Sequence, residues 1–211
     1  MHIPDGFLAP SVWGTLDIVS GSFLVVALRR VGRQVEEKTI PLMGVLSAFV
    51  FAAQMINLPI AGGTSAHFLG AALLGILLGP CSGLTIMTVV LVVQCFLFQD
   101  GGVAALGANI FDMGLIGSLG SYYLYQGIHR LGKDENSVFW PGFWAAWITV
   151  FVSSLSCATM LAVSGVVSWK VGVSVIGGTH AILGLLEGIV TGTVLQAVSR
   201  SRPDLFNRLK I

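Results

Sequence analysis

The sequence predicts an all-α, polytopic membrane helix bundle of about seven transmembrane helices, and three observations carry that prediction. The 211 residues are 55% hydrophobic and 10% charged, with a mean hydropathy of +0.87, whereas soluble chains are about a quarter charged. Apolar runs approaching the ~20 residues of a membrane span recur along the chain. The basic residues gather between alternate runs. Such a chain cannot clothe a soluble surface, so it is read as a single transmembrane domain over residues 1–211 with a short polar-turn segment, residues 1–10, at its start.

Taken in order, the spans are predicted at 11–29, 40–60, 66–79, 81–99, 104–126, 140–164 and 173–199. Arg29, Arg30, Arg33 and Lys38 separate the first from the second, and the glycine-rich stretch 57–66 separates the second from the third. The third is short and meets the fourth at Gly79-Pro80, which reads as a tight turn. Residues 100–103 lead into the fifth, and Arg130 and Lys133 follow it. The loop 165–172 precedes the last span, and Arg200, Arg202, Arg208 and Lys210 come after it. Ten of the eleven basic residues thus fall on one face, with Lys170 the exception. The positive-inside rule makes that face cytoplasmic, the N-terminus external and the C-terminus internal.

The N-terminus, Met1-His2-Ile3-Pro4-Asp5-Gly6-Phe7-Leu8, carries the most chemistry. The α-amine, the deprotonated His2 amide and His2 Nδ1 close one five-membered and one six-membered chelate ring around a metal ion. One further imidazole completes a square, a geometry suited to Ni(II) or Cu(II) and, with distortion, to Co(II). An acylated or extended terminus cannot do this. No basic n-region or apolar core marks these residues as a signal peptide, so Met1 is expected to remain, and Pro4-Asp5-Gly6 is expected to turn the chain back toward the bundle.

A second imidazole, His67, follows the uncharged loop Ile60-Ala61-Gly62-Gly63-Thr64-Ser65-Ala66 on the same predicted face of the membrane. Thr64 or Ser65 is expected to cap the helix that follows. A weaker echo, Gly177-Gly178-Thr179-His180, precedes the last span. Within the spans lie Asp17, Asp112 and Glu187, each costing about 2.5–3.5 kcal/mol at a helix centre if ionised. They are either packing and hydrogen-bonding groups or parts of a substrate path. Cys81, Cys95 and Cys157 are dispersed without CxxC spacing and read as small buried residues. Gly75 with Gly79, and Gly184 with Gly188 and Gly192, form small-residue stripes expected to serve internal helix packing.

The opening Met1–Leu8, Gly62-Gly63-Thr64-Ser65-Ala66-His67, the stretch from Gln99 to Asn109, and His180-Ala181-Ile182-Leu183-Gly184-Leu185-Leu186-Glu187-Gly188 together resemble the CbiM/NikM family. These are the nickel/cobalt substrate-capture components of energy-coupling-factor transporters. The resemblance implies a six-helix substrate-binding core with an added N-terminal helix, in the inner or plasma membrane. It implies a metal held by Met1, His2 and His67, with the ion as cargo and no resident cofactor. It also implies a transmembrane coupling (T) protein, two ATPase subunits and a small accessory membrane protein as partners. Because the chain ends at Ile211, the accessory protein is expected to be a separate polypeptide.

The sequence has no GxxxxGK[ST] loop, so ATP hydrolysis is assigned to partner chains and the protein is not expected to be an enzyme. No nucleic-acid partner is expected. The expected cycle is capture of the ion from outside, closure of the 60–66 loop, and reorientation driven by the partners. The alternative is a secondary metal/proton antiporter working through Asp17, Asp112 and Glu187. An intramembrane hydrolase is set aside because no nucleophile motif or HExxH occurs.

Overall fold

The computed structural model describes residues 1–60, 64–132 and 137–203. Among these, seven helices follow one another: α1 (Pro10–Gln34), α2 (Ile40–Gln54), α3 (Ala71–Leu78), α4 (Pro80–Phe98), α5, α6 (Phe139–Val163) and α7 (Trp169–Ser201). Helix α5 is one rod in three stretches, α-helical over Leu106–Asn109, π-helical over Ile110–Gly120 and α-helical again over Ser121–Leu131. Helix α7 likewise contains a π-helical stretch, Val173–Gly177. Prolines open α1, α2 and α4 within their first two positions, where the absent N–H would have no helical partner in any case.

Four helices, Pro10–Arg33, Pro80–Phe98, Phe139–Val163 and Trp169–Ser201, are long and apolar enough to cross a membrane. The α3 helix is not. Its eight residues rise only about 12 Å, and it lies inside the bundle with Ala71 to Leu77 all buried. The predicted tight turn before α4 is present: Gly79 takes φ +84° and Pro80 begins the next helix.

The second predicted span ends early. Helix α2 stops at Gln54, and β1 (Asn57–Ile60) pairs antiparallel with β2 (Thr64–His67), bringing Asn57 opposite His67. Pro59 could not have continued the helix without losing a hydrogen bond and meeting the preceding turn. Neither Thr64 nor Ser65 caps the third helix, since both lie in β2 and the cap position belongs to Gly70. Ala61, Gly62 and Gly63 of the loop expected to close over the ion, Lys133, Arg208 and Lys210 lie outside the described residues.

The stripe on α7 is an internal seam. A Cβ on Gly184 would press on Trp147, on Gly188 on Phe143, and on Gly192 on Phe139, so these three glycines let α7 lie against α6 at close range. Gly75 similarly admits the backbone of Ser118 against α3, whereas Gly79 serves the turn alone. No disulfide links the cysteines; Cys95 and Cys157 are buried and Cys81 is partly so. Ile18 and Leu97, each 73% exposed, belong to an apolar outer surface of the kind that lipid covers.

Candidate metal centre

The N-terminal segment folds back into the bundle. Met1 and Ile3 are fully buried and His2 is nearly so. Three sets of hydrogen bonds hold the segment there. The Asn109 amide brackets Ile3, accepting from its N–H at 2.9 Å and donating to its carbonyl at 3.2 Å. The Gly102 N–H also donates to the Ile3 carbonyl, at 2.9 Å. The Asp5 carboxylate accepts from the N–H groups of Val103 and Ala104 at 3.0 and 2.8 Å. Gly102 has to be glycine for this approach, because a Cβ there would collide with Asp5. Hence the loop between α4 and α5 is a cradle for the terminus.

The docked terminus meets His67 at the end of β2. The Met1 amine lies 2.7 Å from His67 Nε2, and the His2 and His67 rings stack with centroids 4.6 Å apart. His67 Nδ1 donates to the Phe68 carbonyl at 3.0 Å, leaving the lone pair on Nε2 toward the amine. His2 Nε2 donates to Gln94 Oε1 at 3.1 Å, which puts the lone pair on Nδ1, the nitrogen that closes a six-membered chelate ring. Asp100 Oδ1 stands 3.4 Å from that Nδ1, as a neighbouring negative charge rather than a close hydrogen-bond acceptor. Ring orientation fixed by an outer hydrogen bond is the usual way a metal-binding imidazole is held.

Burial sets the protonation of the pocket. Desolvation lowers the Met1 amine from 8.0 to about 5, against the pull of nearby Cys157, Asp100 and Asp112. It lowers His2 from 6.5 to about 3, helped by the amine and opposed by Gln94. His67 is pushed well below 6.5 by desolvation, then by the amine and by His2. Nitrogens kept neutral present lone pairs, as a metal ion requires.

The structure therefore brings together Met1, His2 and His67, three residues separated by 66 positions at their extremes. The remaining polar candidates are placed differently. Asp17 accepts from the Gly107 N–H at 2.9 Å, tying α1 to α5. Glu187 binds the backbone beyond His67. Asp112 is fully buried in the π-helical stretch of α5. His180, fully buried in α7, donates from Nδ1 to the Ile176 carbonyl of its own helix at 2.8 Å. Among the described residues no three His, Cys, Asp or Glu side chains converge as a metal site. A metal held here would need the Met1 amine and the His2 backbone amide as donors in addition to the two imidazoles. The sequence by itself assigns Gln94 no role, and gives Asp5 a place in the Pro4-Asp5-Gly6 turn but not its anchoring contact to the loop before α5. A glutamine inside the apolar run 81–99 is the available signal for the first; for the second the turn motif is local, but the partners 98 and 99 residues away are not.

Asn109→Ala provides a direct check of the cradle. It leaves the buried Ile3 N–H unsatisfied, which costs about 1–3 kcal/mol. The terminus should undock, seen as faster amide exchange at Ile3 and about tenfold or more weaker metal binding, since 1.4 kcal/mol is a factor of ten.

The fold is that of a membrane-spanning helix bundle, and the comparisons with known proteins define its class as metal transport. Residues 2–205 match the family described as cobalt uptake substrate-specific transmembrane region, and the chain belongs to it. It is 40% identical over 210 residues to a protein of Archaeoglobus fulgidus provisionally named a fused nickel transport protein, covering 99% of this chain and 68% of that one. It is 31% identical over 219 residues to a cobalt transport protein of Geobacter sulfurreducens, covering 100% of this chain and 63% of that one. It is similar to a crystal structure of a truncated transition metal transporter, with TM-score 0.89 and 29% identity over 95% of this chain and 99% of the other.

Proposed function

We propose that this chain is the substrate-capture subunit of an energy-coupling-factor importer, taking up Ni(II) or Co(II) at the outer face and delivering it inward. Its partners are a transmembrane coupling protein, two ATPase subunits and a small accessory membrane protein, and the basic loops face the cytoplasm. The observation that carries the reading is the buried Met1 amine at 2.7 Å from His67 Nε2 with the His2 ring stacked beside it. A divalent ion entering there takes the amine, the His2 amide nitrogen, His2 Nδ1 and His67 Nε2, replacing the amine–imidazole hydrogen bond. Asp100 adds negative charge next to the cation. The carboxylates required by the antiporter reading are dispersed, with Asp17 and Glu187 each committed to backbone N–H groups.

The test is titration of purified protein bearing a native terminus with Ni(II). A stoichiometric complex with the yellow absorption of low-spin, square-planar nickel is expected. Binding with only the pale spectrum of octahedral nickel would overturn the reading.

The pH dependence follows from the pocket. The amine, with its pKa lowered to about 5, and both imidazoles are already neutral at pH 7.5, so the His2 amide proton is the one the metal must displace. About one proton should be released per metal at pH 7.5, measured by calorimetry in buffers of different ionisation enthalpy. A carboxylate site would release about none. The terminus itself should dock more firmly as pH rises. An undocked amine binds its proton near pH 8.0 and the docked one near 5, so between those values the undocked state holds more protons and falling pH favours it.

A further inference from the structure

Glu187 sits in the middle of α7, 2% exposed, and the square of nitrogen ligands makes no use of it. Its two carboxylate oxygens accept from two successive peptide groups, the Leu69 N–H at 2.8 Å and the Gly70 N–H at 2.9 Å. Those N–H groups come two and three residues after His67. Gly70 has φ +67°, and successive N–H groups ending in a left-handed residue form the concave backbone nest that holds an anion. No other residue fits at 70, since a Cβ would meet Val50 in addition to the strained φ. From the opposite side Gln54 Nε2 of α2 donates to the Leu69 carbonyl at 2.6 Å. The chain leaving His67 is thus gripped through its backbone by α2 and α7 before it enters α3.

We infer that Glu187 is a positioning residue for the metal: it fixes the 67–70 backbone so that His67 Nε2 points at the amine, and it ties that ligand to the position of α7. This rests on the proposed metal centre. The seam at Gly184, Gly188 and Gly192 packs α7 closely on α6, so the carboxylate that holds the 67–70 backbone is itself fixed by that packing. The three nitrogens supplied by Met1 and His2 lie on a separate segment, so the fourth ligand is the one that α7 controls.

The experiment compares Ni(II) release from wild type, Glu187→Gln and Glu187→Ala after mixing with excess chelator, together with the visible spectrum of each complex. Glutamine keeps the shape but offers one acceptor oxygen, and its NH2 opposes the second N–H; alanine offers none. Release about tenfold faster for Glu187→Gln and up to about 100-fold faster for Glu187→Ala is expected, the range of outer-shell changes at metal sites. A shift of the square-planar band should accompany it as His67 loosens. Thr191→Val, one turn further along α7, is the control. Thr191 is buried and its hydroxyl has no hydrogen-bond partner among the described residues, so rate and band should stay at wild-type values.

Wild-type release rates and an unchanged band in both Glu187 variants would overturn the inference. Should either variant fail to fold, amide exchange in the wild type decides instead. Leu69 and Gly70 lie outside any helix or strand, and their N–H groups should nonetheless exchange as slowly as those inside α3; fast exchange would overturn the role of Glu187. Absence of a square-planar complex in the wild type would remove the metal centre itself, a result distinct from either.

Discussion

Adding a single residue before Met1, or acetylating the amine, is expected to abolish high-affinity Ni(II) binding and its yellow absorption while leaving the bundle folded. Two effects combine. The added acyl group turns the amine into an amide, and the five-membered chelate ring loses its terminal nitrogen. It also has no room, because Met1 is fully buried and its amine is in hydrogen-bond contact with His67. The helical core does not depend on the terminus for its main packing, with α3 buried among α4, α5 and α6. The protein should therefore stay monodisperse with a slightly lowered Tm. A cleavable extension that leaves Met1 after proteolysis should restore binding. A C-terminal tag should have no effect, since α7 continues 14 residues from Glu187 to Ser201, about 21 Å, away from the pocket. Unchanged nickel affinity in the extended protein would sink the terminal chelate.

The second large effect is expected at the two imidazoles. His67→Ala removes the one ligand that does not come from the terminus and also the stacking partner of His2. Affinity should fall by more than the 10–100-fold typical of outer-shell changes, and the residual complex should become octahedral as water fills the vacated positions. His2→Ala keeps the amine and the amide but loses the six-membered ring, with a comparable loss. His129→Ala should bind normally: His129 lies against Tyr125, twenty residues along α5 from Asn109, or about 30 Å. Equilibrium dialysis with Ni(II), with folding monitored by thermal melting, measures all three. Stoichiometric square-planar nickel on the His67 variant would remove His67 from the ligand set.

How the proposed ligands can be picked out ahead of any coordinates follows from their chemistry. Met1 and His2 are adjacent, so their chelate rings are a property of covalent connectivity, visible in two letters of sequence. The helical bundle was legible for a related reason. Apolar runs near 20 residues have few fates, and a sequence with 10% charged residues cannot stay in water. Gly79-Pro80 told of a turn, and the α7 glycines told of a close seam, because a missing side chain or a fixed φ acts locally.

What lay beyond the sequence was mostly a matter of who receives a backbone hydrogen bond. The hairpin that replaces the end of the second predicted span depends on Asn57 meeting His67 across ten residues, a pairing that no periodicity announces. The roles of Asp5, Asn109 and Glu187 depend on N–H and carbonyl groups 98, 106 and 118 positions away. A carboxylate's place in an apolar helix is visible in the sequence, but which peptide it will hold is not. By itself, then, the sequence determined the membrane and the helices and supplied the nitrogen donors of the proposed chelate, all set by composition and covalent order. The tertiary structure alone decided that the amine is buried, that Nε2 of His67 is the nitrogen facing it, and that α7 holds the loop behind it. Those are properties of desolvation and of contacts between segments far apart in the chain.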